Sequence, residues 1–143
     1  MTNTDVQQLL RQAVANNDAA AMRTAFERLL DAGPDALSPQ DEYRTRREDY
    51  VMEMPQSGER IRGRDRMLAM QEAYPTPPTI TLRRVVGSGP VWIVEGVNDY
   101  AGDVWHVVVI LELDSEGRIM RDTRYYAKRF DPPAWRSSWV EPM

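Results

Sequence analysis

Residues 79–130 read TITLRRVVGSGPVWIVEGVNDYAGDVWHVVVILELDSEGRIMRDTRYYAKRF, and the fold turns on how this stretch is punctuated. Three short clusters interrupt it: Gly87-Ser88-Gly89, Ala101-Gly102-Asp103 and Asp114-Ser115-Glu116-Gly117. Each is a compact hairpin signal between runs rich in β-branched and aromatic residues. They predict four strands, at about 79–87, 90–100, 104–114 and 118–130, joined as an antiparallel meander. The third strand is apolar on both faces, so helices can cover one face and the other needs a partner or a closed curve of sheet.

Upstream, the period changes from two to about 3.6. Val6, Leu9, Leu10, Ala13 and Val14 form a helical stripe, an additional N-terminal helix within residues 1–17. Asn17 or Asp18 can cap a second helix whose buried face is Ala21, Met22, Ala25, Phe26, Leu29 and Leu30, with Gly33-Pro34 to stop it. Ser38-Pro39 opens a short third helix. Tyr50 to Met54 reads as a strand ended by Pro55, Glu59 to Arg62 as its return, and 64–73 as a helix after the break at Gly63. Tyr74-Pro75-Thr76-Pro77-Pro78 is a stiff connector, since three prolines permit neither a helix nor a central strand. Helices first and strands afterwards predict one α+β domain over residues 1–143.

Composition excludes more than it identifies. The chain has 143 residues, 42% hydrophobic and 28% charged, with a net charge of −4. That balance disfavours non-specific nucleic-acid or lipid binding, so no nucleic acid and no membrane partner is expected. The absence of cysteine rules out disulfides, thiolate metal sites and cysteine nucleophiles. A single histidine without clustered acids is a poor metal site, so no metal is expected. No Gly-rich phosphate loop opens a helix, so no nucleotide cofactor is expected either. The polar N-terminus and the lack of an 18-residue apolar run give a cytoplasmic expectation. Only one of the 18 basic residues is lysine (Lys128), the bias of a GC-rich, bacterial genome.

Two segments carry a family resemblance: YVMEMPQSGERIRG at 50–63 and RYYAKRFDPPAWR at 124–136. Together with the element order, they make the chain similar to the SnoaL-like branch of the nuclear-transport-factor-2-like superfamily over residues 18–136. The resemblance implies a cone-shaped barrel, in which a strongly curved antiparallel sheet wraps around N-terminal helices. It also implies a mostly apolar cavity at the open end of the cone. Known active sites of such proteins do not carry over. The two carboxylates of ketosteroid isomerase would fall at Met54 and near Val109. The Asp-Arg-Asp set of limonene-epoxide hydrolase would fall at Asn98, Gly96 and Arg124, and scytalone dehydratase relies on more histidines than this chain has.

The resemblance turns the Val51/Glu53 side of the first strand toward the cavity, where desolvation would lift a carboxyl toward neutral pH and suit it as a base. The alternative for Glu53 is an edge-strand carboxylate in water or paired to an arginine. Arg124 and Tyr126 share the inward face of the last strand, able to hold an oxyanion or to form a structural ion pair and a core tyrosine. His106 is either a catalytic imidazole or a core or dimer-interface residue. Catalytic candidates are therefore Glu53, Arg124 and His106, with Val51, Asn98, Trp105 and Tyr126 lining the ligand site. The arginines at 44, 46, 47, 60, 62, 64 and 66 interleave with acids and read as solvated surface. Trp135 and Trp139, in the irregular tail 131–143, would either dock on the body or lid the cavity. Two functions stand: a cofactor-independent acid–base enzyme (isomerase, cyclase, dehydratase or hydrolase) on a small apolar substrate, or a non-catalytic ligand-binding or dimerisation module. Either way a homodimer through the sheet is expected.

Overall fold

The structure, a computed structural model, describes residues 3–30, 37–74 and 76–143, with side chains from residue 5 onward. Its elements run α1 (Asn3–Asn16), α2 (Ala19–Leu29), α3 (Pro39–Arg44), β1 (Arg46–Met54), β2 (Glu59–Arg62), α4 (Arg64–Ala73), β3 (Thr79–Ser88), β4 (Val91–Tyr100), β5 (Asp103–Leu113) and β6 (Ile119–Lys128). The stop at Gly33-Pro34 and the first proline of the connector, Pro75, lie outside the described residues. Asp18 caps α2, its carboxylate accepting from the Ala21 N–H at 3.0 Å. Ser38 caps α3 in a reciprocal box with Asp41.

Six strands form one sheet in the order β2-β1-β6-β5-β4-β3. The meander is antiparallel throughout, as its turn chemistry predicts. The sheet as a whole is not: β1 runs parallel to β6. The first strand also starts earlier than its apolar run suggests, at Arg46, because backbone pairing with β6 extends to Ile119. Interrupted registers in β3, in β1 and between β5 and β6 bend the strands. Gly96 permits the bend at β3, since a Cβ there would stand 2.8 Å from the Thr81 carbonyl oxygen. The sheet stays open, and the result is a cone-shaped α+β fold.

The inner face of the sheet and the helices share one core. Trp92, Leu111, Leu113 and Ile119 from the meander meet Met22, Ala25 and Phe26 of α2, Met67 of α4, and Tyr50 and Met52 of β1. Val6, Leu10 and Ala13 of α1 are fully buried in that core, so α1 is integral rather than an appendage. Gly117, at φ +76°, lets the β5–β6 turn approach α1, where a Cβ would stand 2.7 Å from the Leu10 carbonyl carbon.

The tail corrects the expectation of docking. After Pro133 a 3-10 turn spans Ala134–Arg136, and Trp135 and Trp139 are 74% and 80% exposed. Pairing ends at Lys128, two residues short of the expected strand end at 130, and Pro132 and Pro133 keep the following chain out of the sheet.

Candidate functional site

Strand register assigns each side chain to a face. On β6, Asp122, Arg124 and Tyr126 point inward, opposite Leu111, Val109 and Val107 of β5. The same face carries Trp92, Val94, Gly96 and Asn98 of β4, and Trp105 of β5. On β1 the inward set is Tyr50, Met52 and Met54, of which Tyr50 and Met52 are fully buried.

A polar cluster interrupts this apolar face. Asp122 is 3% exposed, and a carboxylate so deep needs partners. It has two: the Tyr50 hydroxyl donates to Oδ2, and Arg124 donates through Nε at 2.7 Å to Oδ1 and through Nη2 at 3.1 Å to Oδ2. Burial, reinforced by the Asp122 charge, pushes the Tyr50 hydroxyl well up, so it stays a donor. Burial works to lower Arg124, but the Asp122 charge and hydrogen bond together with Tyr50 and Tyr126 outweigh it and keep the guanidinium cationic. Behind Tyr50, Arg46 stacks on its ring at 5.0 Å and donates to Gln71 Oε1 at 2.9 Å. Gln71 in turn donates to Glu42 Oε2 at 2.6 Å. Burial pushes the Glu42 carboxyl up against the opposing charges of Arg46 and Arg124, which places it within electrostatic reach of the cluster.

Toward the rim, Asn98 donates to the Tyr100 hydroxyl at 3.3 Å. Burial raises the Tyr100 hydroxyl, and the Asn98 hydrogen bond works against it. Trp105 is held at the rim by a 3.1 Å bond to Asp103, whose partner Lys128 lies 4.7 Å above the indole.

The structure therefore brings together Arg124, Tyr126, Asn98 and Trp105 on the inner face. It separates Val51 and Glu53 from them, which corrects their expected facing, and it places His106 away from them too, on the opposite face from Trp105, Val107 and Val109. Because Tyr50 and Met52 occupy the core, alternation turns Val51 and Glu53 outward, beside Arg121 and Thr123. Glu53 is bound there by Arg121 and, at 3.5 Å, by Arg60. His106 sits between Val97 and Ala127 on the outer face, exposed. Arg46 corrects the solvated-arginine reading: it is 6% exposed. Sequence reasoning missed Asp122, Tyr50, Arg46, Glu42 and Gln71. One signal was available: Asp122 stands two residues before Arg124 in a strand, hence on the same face. Among the described residues no group of three or more histidines or acids could hold a metal ion, and no helix is long and apolar enough to cross a membrane.

The outer face of the same strands is apolar as well. Val86, Val91, Ile93, Val104 and Tyr125 are 38% to 47% exposed there. A shallow depression of about 290 Å³ lies among Arg83, Glu95, His106, Val108, Tyr125 and Ala127.

No protein-family model matches the chain, and no curated protein matches it. Solved structures do. A protein of unknown function from Burkholderia xenovorans, described as NTF-2 like, is 28% identical over 99% of this chain and 94% of its own, with a TM-score of 0.68. This chain belongs to the nuclear-transport-factor-2-like superfamily. A candidate ketosteroid isomerase from Kribbella flavida superposes with a TM-score of 0.69 at 24% identity, covering 98% of this chain and 90% of that one. A steroid delta-isomerase from Pseudomonas aeruginosa gives 0.60 at 16% identity, over 77% and 80%. At those identities the likeness shows the fold alone. Within this superfamily cone, Met54 and Val109 both pack against the core at the positions the resemblance assigns to isomerase carboxylates.

Proposed function

We propose that the cone binds a small, mostly apolar molecule and that Arg124 grips an oxygen of it, as a carbonyl, enolate or carboxylate. One observation carries the reading. Arg124 uses two of its five N–H groups on Asp122, and the other three remain for a ligand on the inner face. Asp122 fixes the plane of the guanidinium, and Tyr50 fixes Asp122. Val107, Val109 and Met54 supply apolar walls, and Tyr126, Tyr100 and Trp105 a polar-tipped rim, the usual composition of a small-molecule pocket.

A second reading, isomerase-like proton transfer in the same cavity, is favoured by two carboxyl groups near Arg124, Asp122 and Glu42. In that reading one of them takes a proton from carbon beside a carbonyl while Arg124 and Tyr126 steady the oxyanion. Glu53 has no part in it, being outside the cone.

The test is titration with naphthalene-2-carboxylate and its methyl ester, followed by indole fluorescence. The acid should bind more tightly than the ester, and Arg124→Met should weaken the acid about tenfold or more, with Arg124→Lys recovering part of the loss. Glu53→Gln should leave binding unchanged. Equal binding to wild type and to both Arg124 variants overturns the assignment. Exchange of deuterium into a bound ketone, lost in Asp122→Asn or Glu42→Gln, would support the second reading.

We further propose that the protein works as a homodimer through the outer sheet face, supported by the five exposed apolar residues there.

A further inference from the structure

We propose that an anionic ligand held by Arg124 enters the cone together with a proton, which Glu42 takes up, so that the site selects carboxylic acids in a pH-dependent way. The inference rests on the Arg124 grip proposed above and names the ligand class it serves. The two carboxylates of the buried cluster are held very differently. Each Asp122 oxygen already accepts a donor: Oδ1 from Arg124 Nε, Oδ2 from Arg124 Nη2 and the Tyr50 hydroxyl. A proton on Asp122 would forfeit the buried ion pair. Glu42 has a single partner. Gln71 stands between it and a cation, its Oε1 accepting from Arg46 Nη1 at 2.9 Å and its Nε2 donating to Glu42 Oε2 at 2.6 Å. Arg46 is 6% exposed, yet among the described residues no carboxylate lies within ion-pair distance of it. Glu42 Oε1 accepts no hydrogen bond from any described residue.

Charge balance then decides where the proton goes. Arg46 and Arg124 stand against Asp122 and an ionised Glu42, so the cluster without ligand is neutral. An anion on Arg124 leaves it one negative charge in excess, and uncompensated charge away from water is costly. One proton restores the balance, and Glu42 is the acid with an oxygen free to hold it. Burial already favours its neutral form, while Arg46 and Arg124 both act on it from across the gap that Gln71 keeps. The other charges around α3 are answered locally. Asp41, a like charge beside Glu42, closes the Ser38 capping box and pairs with Arg44 at 3.2 Å. On α4, Asp65 accepts from Tyr43, whose ring carries Arg64 at 4.3 Å, and Glu72 accepts from Gln40 at 3.0 Å. On β1, Arg47 pairs with Asp49 at 3.0 Å, and on α1, Arg11 pairs with Glu116 at 3.1 Å.

Calorimetry of naphthalene-2-carboxylate binding, in buffers of differing ionisation heat, counts the protons taken up over a pH range where the ligand itself stays ionised. Above the pH at which free Glu42 ionises, wild type should take up close to one proton per ligand. Its affinity for the acid should fall there by up to tenfold per pH unit, and by about tenfold or more in total before it levels off. The methyl ester should show neither effect. Glu42→Gln keeps an acceptor for Gln71 and cannot ionise, so it should bind the acid with no proton uptake and a flat pH profile. Acid binding that needs Arg124 but takes up no proton overturns the proposal and leaves the Arg124 grip standing. Uptake that persists in Glu42→Gln overturns the assignment to Glu42 and again leaves the grip. Acid and ester binding alike, unmoved by Arg124→Met, overturns the grip and the proposal together.

Discussion

Arg124→Met is the sharpest perturbation of the buried cluster, because methionine keeps much of the length and removes the charge. Two N–H donors, at 2.7 and 3.1 Å, leave a carboxylate that is 3% exposed. Removing one partner of a buried pair typically costs about 3–5 kcal/mol. The expected loss is therefore about 3–5 kcal/mol, measured by urea denaturation at pH 7 with unchanged slope. Replacing both partners, Arg124→Met with Asp122→Leu, should recover most of the loss, since no buried charge is then left unpaired. A loss below about 1 kcal/mol at pH 7 would refute the burial argument.

Glu42→Gln should stabilise the protein at neutral pH. The Glu42 carboxyl titrates above its ordinary value in the folded state, so the native protein binds more protons there than the unfolded chain. Stability falls as pH rises from about 4.5 through the raised value, and the penalty persists above it. The variant should lose that slope in denaturant melts across pH 4–8, and identical profiles would count against a buried Glu42. Gly117→Ala should lower stability by about 2 kcal/mol or more, because φ +76° disfavours a side chain and α1 blocks its Cβ. A melting temperature within 2–4 °C of wild type, roughly 1 kcal/mol at this size, would show that α1 can yield.

The meander was legible because its turns are written in glycine and aspartate, local signals that need no tertiary context. Helix α2 was legible for a similar reason, its Asp18 cap opening a clear apolar stripe, whereas α4 was marked only by the break at Gly63 and buries Met67 alone. The facing of β1 was not. A strand with Tyr50, Met52 and Met54 on one side and Val51 and Glu53 on the other is plausible either way up, and only the packing of Tyr50 against Asp122 decides it. The parallel pairing of β1 with β6 leaves no turn between them to read. Arg46 looked like one more surface arginine because its partners, Gln71 and the Tyr50 ring, come from tertiary structure. The tail misled for an energetic reason. Two tryptophans favour burial, but burial needs a surface to receive them, and the proline pair keeps their segment out of its own sheet.

The pairing of β1 with β6 also has a kinetic side. Met52 is bonded in register to Asp122, seventy residues later, so the loop it closes includes every other strand. Loop-closure entropy makes such a contact late, after the three local hairpins have formed. During synthesis, the methionine-rich strand and its short return hairpin emerge long before any strand exists to receive them. Until β6 leaves the ribosome, Tyr50, Met52 and Met54 form an unpaired apolar edge, the kind of surface that chaperones hold and that aggregates capture.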